Sequence, residues 1–312
     1  ARSTVDRALL VRAIERVRAA LELRADEAAL LPDLAALYDW LLRPIEPRLG
    51  RRRTPLVLIT DGKIAAVPFA ALRDTVQGRY LIEDHPLRFA SSIRDAVRPE
   101  RRGAATRARV LLVADPSFDR KAFPELGRLP GAAAEVAAIA AQYAEPHLLT
   151  DSAATRPAFE TALERASILH YAGHALFDDD RPEQSSLVLA AGAGGRGDGR
   201  LTATELERLP LGHVRLVVLS ACETIPSRSG HSGGFAGLAG AFLAAGAGGV
   251  VGSLWSVNDR LTEELMSEFH RAYRQSGDAT DALRRAQLQL LLSAEPATRS
   301  PAAWAGFRYA GD

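Results

Sequence analysis

The chain has 312 residues, 47% of them hydrophobic and 25% charged, the balance of a soluble globular protein of about two domains. With 39 basic side chains against 38 acidic ones the formal net charge is +1, so the whole-chain field favours neither nucleic acid nor membrane. The one cysteine, Cys222, excludes an intrachain disulfide and fits a reducing compartment, and no apolar run is long enough to cross a bilayer.

The chain begins with Ala1 rather than Met, the start expected of a piece of a longer protein. Residues 4 to 44 predict two helices. Leu9, Leu10, Ile14, Val17 and Leu21 recur at helical spacing, then Leu34, Leu37, Tyr38, Leu41 and Leu42, until Pro44 and Pro47 stop the pattern. Arg51 to Arg53 reads as a short solvated link. Leu56 to Gly62 predicts a strand, with Asp61-Gly62 as a hairpin signal between apolar segments. The arginine-rich stretch from Arg98 to Arg107 has no core periodicity. It divides an N-terminal region, 1–107, of helices and a small β part from a second domain, 108–312.

From Ala108 the pattern alternates between buried strands and helices of 10 to 15 residues. ARVLLVADPSF, ASILHYAGHA, HVRLVVLSAC and GGVVGSLW read as strands, and LPGAAAEVAAIAAQY, GGFAGLAGAFLAAGA and LTEELMSEFHRAYRQ as helices. Such alternation predicts an α/β fold with a mostly parallel sheet, whose site lies at the carboxyl ends of the strands. Two of those ends carry chemistry. The strand before Cys222 runs into a Gly-rich loop, and the strand through His170 ends at His174. If the two strands are parallel neighbours, His174 and Cys222 meet at one edge, where an imidazole changes the reactivity of a thiol. Taken by residue type alone, both also read as a small buried hydrophobe and a satisfied strand-end histidine.

The segments LHYAGHALFDDDRPEQSSLVLA and VVLSACETIPSRSGHSGGFAGLAGAFLAAGAGGVVGSLWSVND resemble the two signature regions of the CHAT family. LVLITDGKIAAVPFAAL, LPGAAAEVAAI, ALRRAQLQLL and the closing WAGFRYAGD resemble it too, in order, from about Leu56 to the end. Family members are bacterial caspase-like and separase-like cysteine peptidases, often attached to tetratricopeptide repeats. The resemblance implies a caspase-like three-layer sandwich and a cysteine endopeptidase that makes limited cuts in a protein substrate, in bacterial defence or cell-death signalling in the cytoplasm. It further implies an activator protein or repeat region as partner, no cofactor and no metal.

Residue by residue, Cys222 matches the nucleophile and His174 the catalytic histidine. His170 matches a family histidine set back on the same strand, with a structural role. The backbone N–H groups of Ala175 and Cys222 match the oxyanion hole, although the commonest pattern has Gly where Ala175 stands. No third carboxylate is required. Asp259 matches a separase position associated with a basic residue before the scissile bond; Asp115 and Glu223 are further candidates for lining that pocket. Asp259 reads equally as the N-cap of the following helix.

Two competing functions stay open. One is a protein-interaction module that keeps the fold without turnover. The other is an esterase using Ser232, because Gly230 to Gly234 spells G-x-S-x-G, although a polar loop rather than a strand precedes it. The glycines between Ala191 and Gly199 lack the context of a phosphate-binding loop, and Asp178 to Asp180 lack the spacing of a cation site.

Overall fold

The computed structural model describes residues 5–98, 108–178, 180–192, 198–221, 237–255 and 257–311. Two helices open the chain. The first, α1 (Arg7–Glu22), starts where the Asp6 carboxylate accepts from the Ala8 and Leu9 N–H groups. It buries Ala13, Ile14, Val17 and Leu21, which share one helical face. The second, α2 (Glu27–Leu41), turns Leu30, Leu34, Leu37 and Tyr38 into the same core. A 3-10 turn over Arg43–Arg48, containing Pro44 and Pro47, follows it.

Short elements come next: β1 (Leu56–Leu58), β2 (Arg73–Asp74), β3 (Arg79–Tyr80), α3 (Leu81–Asp84), β4 (Leu87–Phe89) and α4 (Ile93–Ala96). The hairpin expected at Asp61-Gly62 does not form. Asp61 caps a 3-10 turn over Gly62–Ala66, and β1 pairs in parallel with β4. Residues 65–72 are buried at every position, so they lack the alternation that a second hairpin strand with one wet face needs.

Beyond Arg109 the expected alternation appears. It runs through β5 (Val110–Ala114), α5 (Pro130–Ala140), β6 (His147–Thr150), α6 (Arg156–Leu163) and β7 (Ile168–Ala172). The short strands β8 (Ala175–Leu176), β9 (Ser186–Val188) and β10 (Arg200–Thr202) precede α7 (Ala203–Leu206). Then come β11 (Leu216–Leu219), α8 (Leu238–Ala244), β12 (Gly249–Ser253), α9 (Asp259–Ser276) and α10 (Ala279–Leu291). Two single turns, α11 (Pro296–Arg299) and α12 (Pro301–Trp304), lead into β13 (Phe307–Gly311).

Eight strands make one sheet in the order β1-β4-β13-β12-β11-β7-β5-β6. All neighbours pair in parallel except β12 with β13. The sheet is therefore two parallel blocks that point in opposite directions and meet at that one antiparallel seam. Every residue of β5, β7, β11 and β12 is buried, as a sheet covered on both faces requires. Strands β8, β9 and β10 form a separate antiparallel sheet beside it. Among the described residues no helix is long and apolar enough to cross a membrane.

The N-terminal strands share this sheet with the rest of the chain, and buried arginines fasten the two parts. Arg308 on β13 donates to the Ala65 and Val67 carbonyls and lies over the Phe89 ring, 4.5 Å from its centre. Arg284 on α10 donates to the Ile82 carbonyl at 2.8 Å and the Glu83 carbonyl at 2.6 Å. Arg88 on β4 reaches the carbonyls of Ala96 and Gly311 at 2.5 and 3.1 Å. The fork of a guanidinium suits paired carbonyls in a way that a lysine ammonium does not. Burial pushes the Arg308 pKa down to about 9, so the group stays charged at neutral pH, with carbonyl dipoles and an aromatic face standing in for water.

Replacing Arg308 with Met removes the guanidinium, so the Ala65 carbonyl loses its Arg308 donor and the Val67 carbonyl keeps only the Phe69 N–H. The expected cost is about 3 kcal/mol or more, read from urea midpoints, with Arg308→Lys recovering only part.

Candidate active site

Strands β7 and β11 pair in parallel from Leu216 opposite Ile168 to Leu219 opposite Tyr171, a constant offset of 48 residues (216 − 168). The pairing continues one step further, since the Ser220 N–H donates to the Tyr171 carbonyl at 2.9 Å. His174 and Ala221 therefore emerge at the same carboxyl edge of the sheet. They line one cavity of about 120 Å³, whose wall also includes Ala175, Ser253, Glu135 and Asp259. Cys222 and Glu223, which follow Ala221 in sequence, lie outside the described residues, as does Ser232.

The residues around His174 explain one another. The Tyr171 hydroxyl, fully buried, sits between the carbonyls of His174 and Val188 at 2.8 and 2.7 Å. Its ring crosses beneath Gly173, where any β-carbon would come within 2.7 Å of it. The His174 carbonyl also accepts from the Val188 N–H at 3.0 Å. Because a trans peptide sends its C=O and N–H to opposite sides, the Ala175 N–H faces away from β9. Ala175 lies in β8, and its φ is not positive, so the alanine in place of the usual glycine brings no strain.

The left-handed residues near the site are elsewhere. Asp115, with φ of 40°, ends β5, and Asp151, with φ of 49°, follows β6. Arg128 bridges them, its Nε 2.7 Å from Asp115 Oδ2 and its Nη2 2.6 Å from Asp151 Oδ1. Asp115 does not line the cavity; its carboxylate is buried against this arginine. The clamp holds the loop that supplies the partner of His174. His174 Nε2 lies 2.6 Å from the Gly127 carbonyl, and the Phe118 ring meets the imidazole edge-on. A carbonyl only accepts, so Nε2 carries a proton and Nδ1 is the basic nitrogen of the neutral ring. Sequence reasoning gave no sign of Gly127, because the group that matters there is main chain.

Asp259 is exposed on the cavity wall and stands at the first position of α9. The cap reading moves by one residue: Asn258 is the N-cap, its side chain accepting from the Arg260 N–H at 3.1 Å. The Asp259 side chain lies against Gly131 of α5, where an added β-carbon would stand 2.4 Å from the aspartate Cβ. Beside Ala221, the Ser253 hydroxyl donates to that residue's carbonyl at 2.7 Å.

His170 points the other way from Tyr171 and enters a buried chain of polar groups. Its Nε2 is 3.0 Å from Glu135 Oε1, and its Nδ1 is 3.1 Å from His270 Nε2. His270 Nδ1 then meets the Tyr143 hydroxyl at 2.9 Å. Burial, with His170 and Arg274 nearby, holds the His270 pKa well below the ordinary imidazole range. Glu135 is a cavity residue that the sequence analysis did not name. The signal was present: it is the one charged residue in the α5 sequence PGAAAEVAAIA. Among the described residues no group of three or more His, Cys, Asp or Glu side chains is placed to hold a metal ion.

The sequence model of the CHAT domain matches residues 31–312. The chain belongs to the CHAT family. The match begins within α2, well before the strands that carry the site. Relatives of this CHAT chain include tetratricopeptide repeat protein 28 of Mus musculus, 27% identical over 335 residues, and its Homo sapiens counterpart, 27% over 334. Each comparison takes in 90% of this chain and 13% of the relative, so the chain spans a small part of those proteins. Among solved structures it is similar to separase of Saccharomyces cerevisiae in a separase–securin complex, with a TM-score of 0.54 at 13% identity over 83% of this chain and 15% of that one. It is also similar to RgpB of Porphyromonas gingivalis in a complex of pro- and mature domains, with a TM-score of 0.52 at 12% identity over 99% and 77%. These likenesses give the CHAT domain a caspase-like α/β fold.

Gly173→Ala is expected to displace the Tyr171 ring and with it the His174 carbonyl, lowering the melting temperature by several degrees. Tyr171→Phe tests the hydroxyl separately, with about 1–3 kcal/mol lost in urea unfolding. The buried His270 sets a pH dependence. Its folded-state pKa lies below the ordinary 6.5, so below about pH 6.5 the unfolded chain binds a proton that the folded chain refuses. Stability falls as pH drops through that window, and His270→Gln makes the difference between urea midpoints at about pH 7.5 and 5.5 smaller.

Proposed function

We propose that the chain is a cysteine endopeptidase in which Cys222 and His174 form the catalytic pair. The observation that carries this reading is the register of β7 against β11. Its offset of 48 equals the spacing of His174 and Cys222 in the sequence (222 − 174). Ala221 already lines the cavity with His174, and one peptide step of about 3.8 Å separates it from Cys222.

In this reading His174 Nδ1 takes the thiol proton while Nε2 stays on the Gly127 carbonyl. The thiolate attacks the peptide carbonyl carbon, and the oxyanion is received by the Ala175 and Cys222 N–H groups. His174 returns the proton to the leaving amine as the C–N bond breaks, which leaves a thioester on Cys222. Water, deprotonated by the same nitrogen, then releases the acid and the free thiol.

The exposed Asp259 carboxylate on the cavity wall supports a basic residue before the scissile bond. The solved relative named as an Arg-specific cysteine proteinase, gingipain R, has the same fold at a TM-score of 0.50 and 13% identity. Asp115 is engaged by Arg128 and in this reading supports the histidine loop rather than the substrate. The relatives bear a tetratricopeptide-repeat name, which favours a protein partner delivering either the substrate or the activating signal; limited cleavage in a bacterial defence pathway is the setting that belongs to this proposal.

Fluorogenic peptides varied at the residue before the scissile bond test the reading. Cys222→Ala is expected to abolish turnover, and His174→Ala to lower kcat by about 10³-fold or more. Ser232→Ala leaves the rate unchanged. Activity that survives Cys222→Ala and is lost with Ser232→Ala overturns the peptidase reading in favour of an esterase.

A further inference from the structure

Glu135 is 4% exposed, yet it forms part of the cavity wall. Its Oε1 and the facing His170 Nε2 are 3.0 Å apart but too poorly aligned to hydrogen-bond, so both stand without a hydrogen-bond partner among the described residues. A buried carboxylate oxygen left in that condition calls for an explanation. No lysine or arginine belongs to the described wall, which carries Glu135 at its buried end and Asp259 at its exposed rim. A cavity wall with two carboxylates and no basic side chain fits a long side chain with a terminal cation.

A chain of buried polar groups stands behind Glu135. With the Tyr143 hydroxyl donating to His270 Nδ1, and His270 Nε2–H to His170 Nδ1, the remaining proton of His170 lies on Nε2 and faces the carboxylate. In that order every donor points toward Glu135. The groups stand on α5, β7 and α9, three packed elements, so the carboxylate is held rigidly.

We propose that Glu135 is the specificity-determining carboxylate of the cavity and receives the guanidinium or ammonium of a basic substrate residue. This rests on the peptidase reading above. A guanidinium there meets the open acceptor capacity of Glu135, and a neutral side chain leaves a buried charge unpaired.

The test has two readouts. The first is kcat/KM for peptides with Arg, Lys, Gln or Leu before the scissile bond, measured on the wild type, Glu135→Gln and Glu135→Asp. Glu135→Gln is expected to lose about 100-fold on the Arg and Lys peptides and less than about threefold on the others. Glu135→Asp retains a preference for Arg. A Glu135→Gln protein that keeps the basic preference, or that loses all four peptides equally, overturns the proposal. The second readout needs no turnover: calorimetric titration with agmatine and with the uncharged butylurea as reference. Agmatine is expected to bind the wild type and Cys222→Ala alike and Glu135→Gln at least about tenfold more weakly, with no binding of butylurea. Equal agmatine binding by Glu135→Gln, or none by the wild type, overturns the proposal. The two readings fail separately. Turnover that survives Cys222→Ala sinks the peptidase reading, whereas the agmatine result depends on Glu135 alone. Circular dichroism melts of the Glu135 variants within a few degrees of the wild type assign the losses to the site.

Discussion

The parallel pairing of β7 with β11 is the constraint on which the site depends. Backbone hydrogen bonds between two fully buried strands fix their offset at 48 residues, and a slip of one would turn every inward side chain to the other face. That rigidity lets two segments distant in the sequence deliver His174 and Ala221 to one cavity. Around this pairing the remaining parts act as trim. Tyr171 fixes the His174 carbonyl, Gly173 makes room for the ring that does so, and Ser253 steadies Ala221 from the neighbouring strand.

The same sheet also unites the two ends of the chain. β1 and β4 join the C-terminal β13, and Arg284 and Arg308 reach from C-terminal elements into the carbonyls of the N-terminal segment. Each arginine ends on backbone oxygens rather than on a carboxylate. The attachment therefore needs no matching acidic side chain, only a local chain path that leaves carbonyls pointing inward.

Much of this was legible in the sequence, and the limits have physical causes. Strand and helix positions from Val110 onward followed from apolar runs of fixed length, because buried strands tolerate little else. His174 and its strand stood out for the same reason. The Asp61-Gly62 turn misled because hairpin chemistry is local, whereas the pairing of β1 with β4 is decided by burial of the whole segment between them. Asp115 looked like a pocket residue because it ends a strand at the correct edge; only the fold shows Arg128 lying against it. Glu135 was one letter in an alanine-rich helix, and its meaning depends on His170 and His270, 35 and 135 residues away (170 − 135 and 270 − 135). Separations of that length leave no periodic trace.

The partner of His174 is the carbonyl of a glycine. A main-chain oxygen does not titrate, so the orientation of the imidazole is insulated from pH in a way that an aspartate partner is not. It also has no side chain to truncate. Scanning mutagenesis that swaps one residue at a time passes over it, and the loop is free to change its letters as long as its path, pinned by Arg128 between two left-handed aspartates, stays the same.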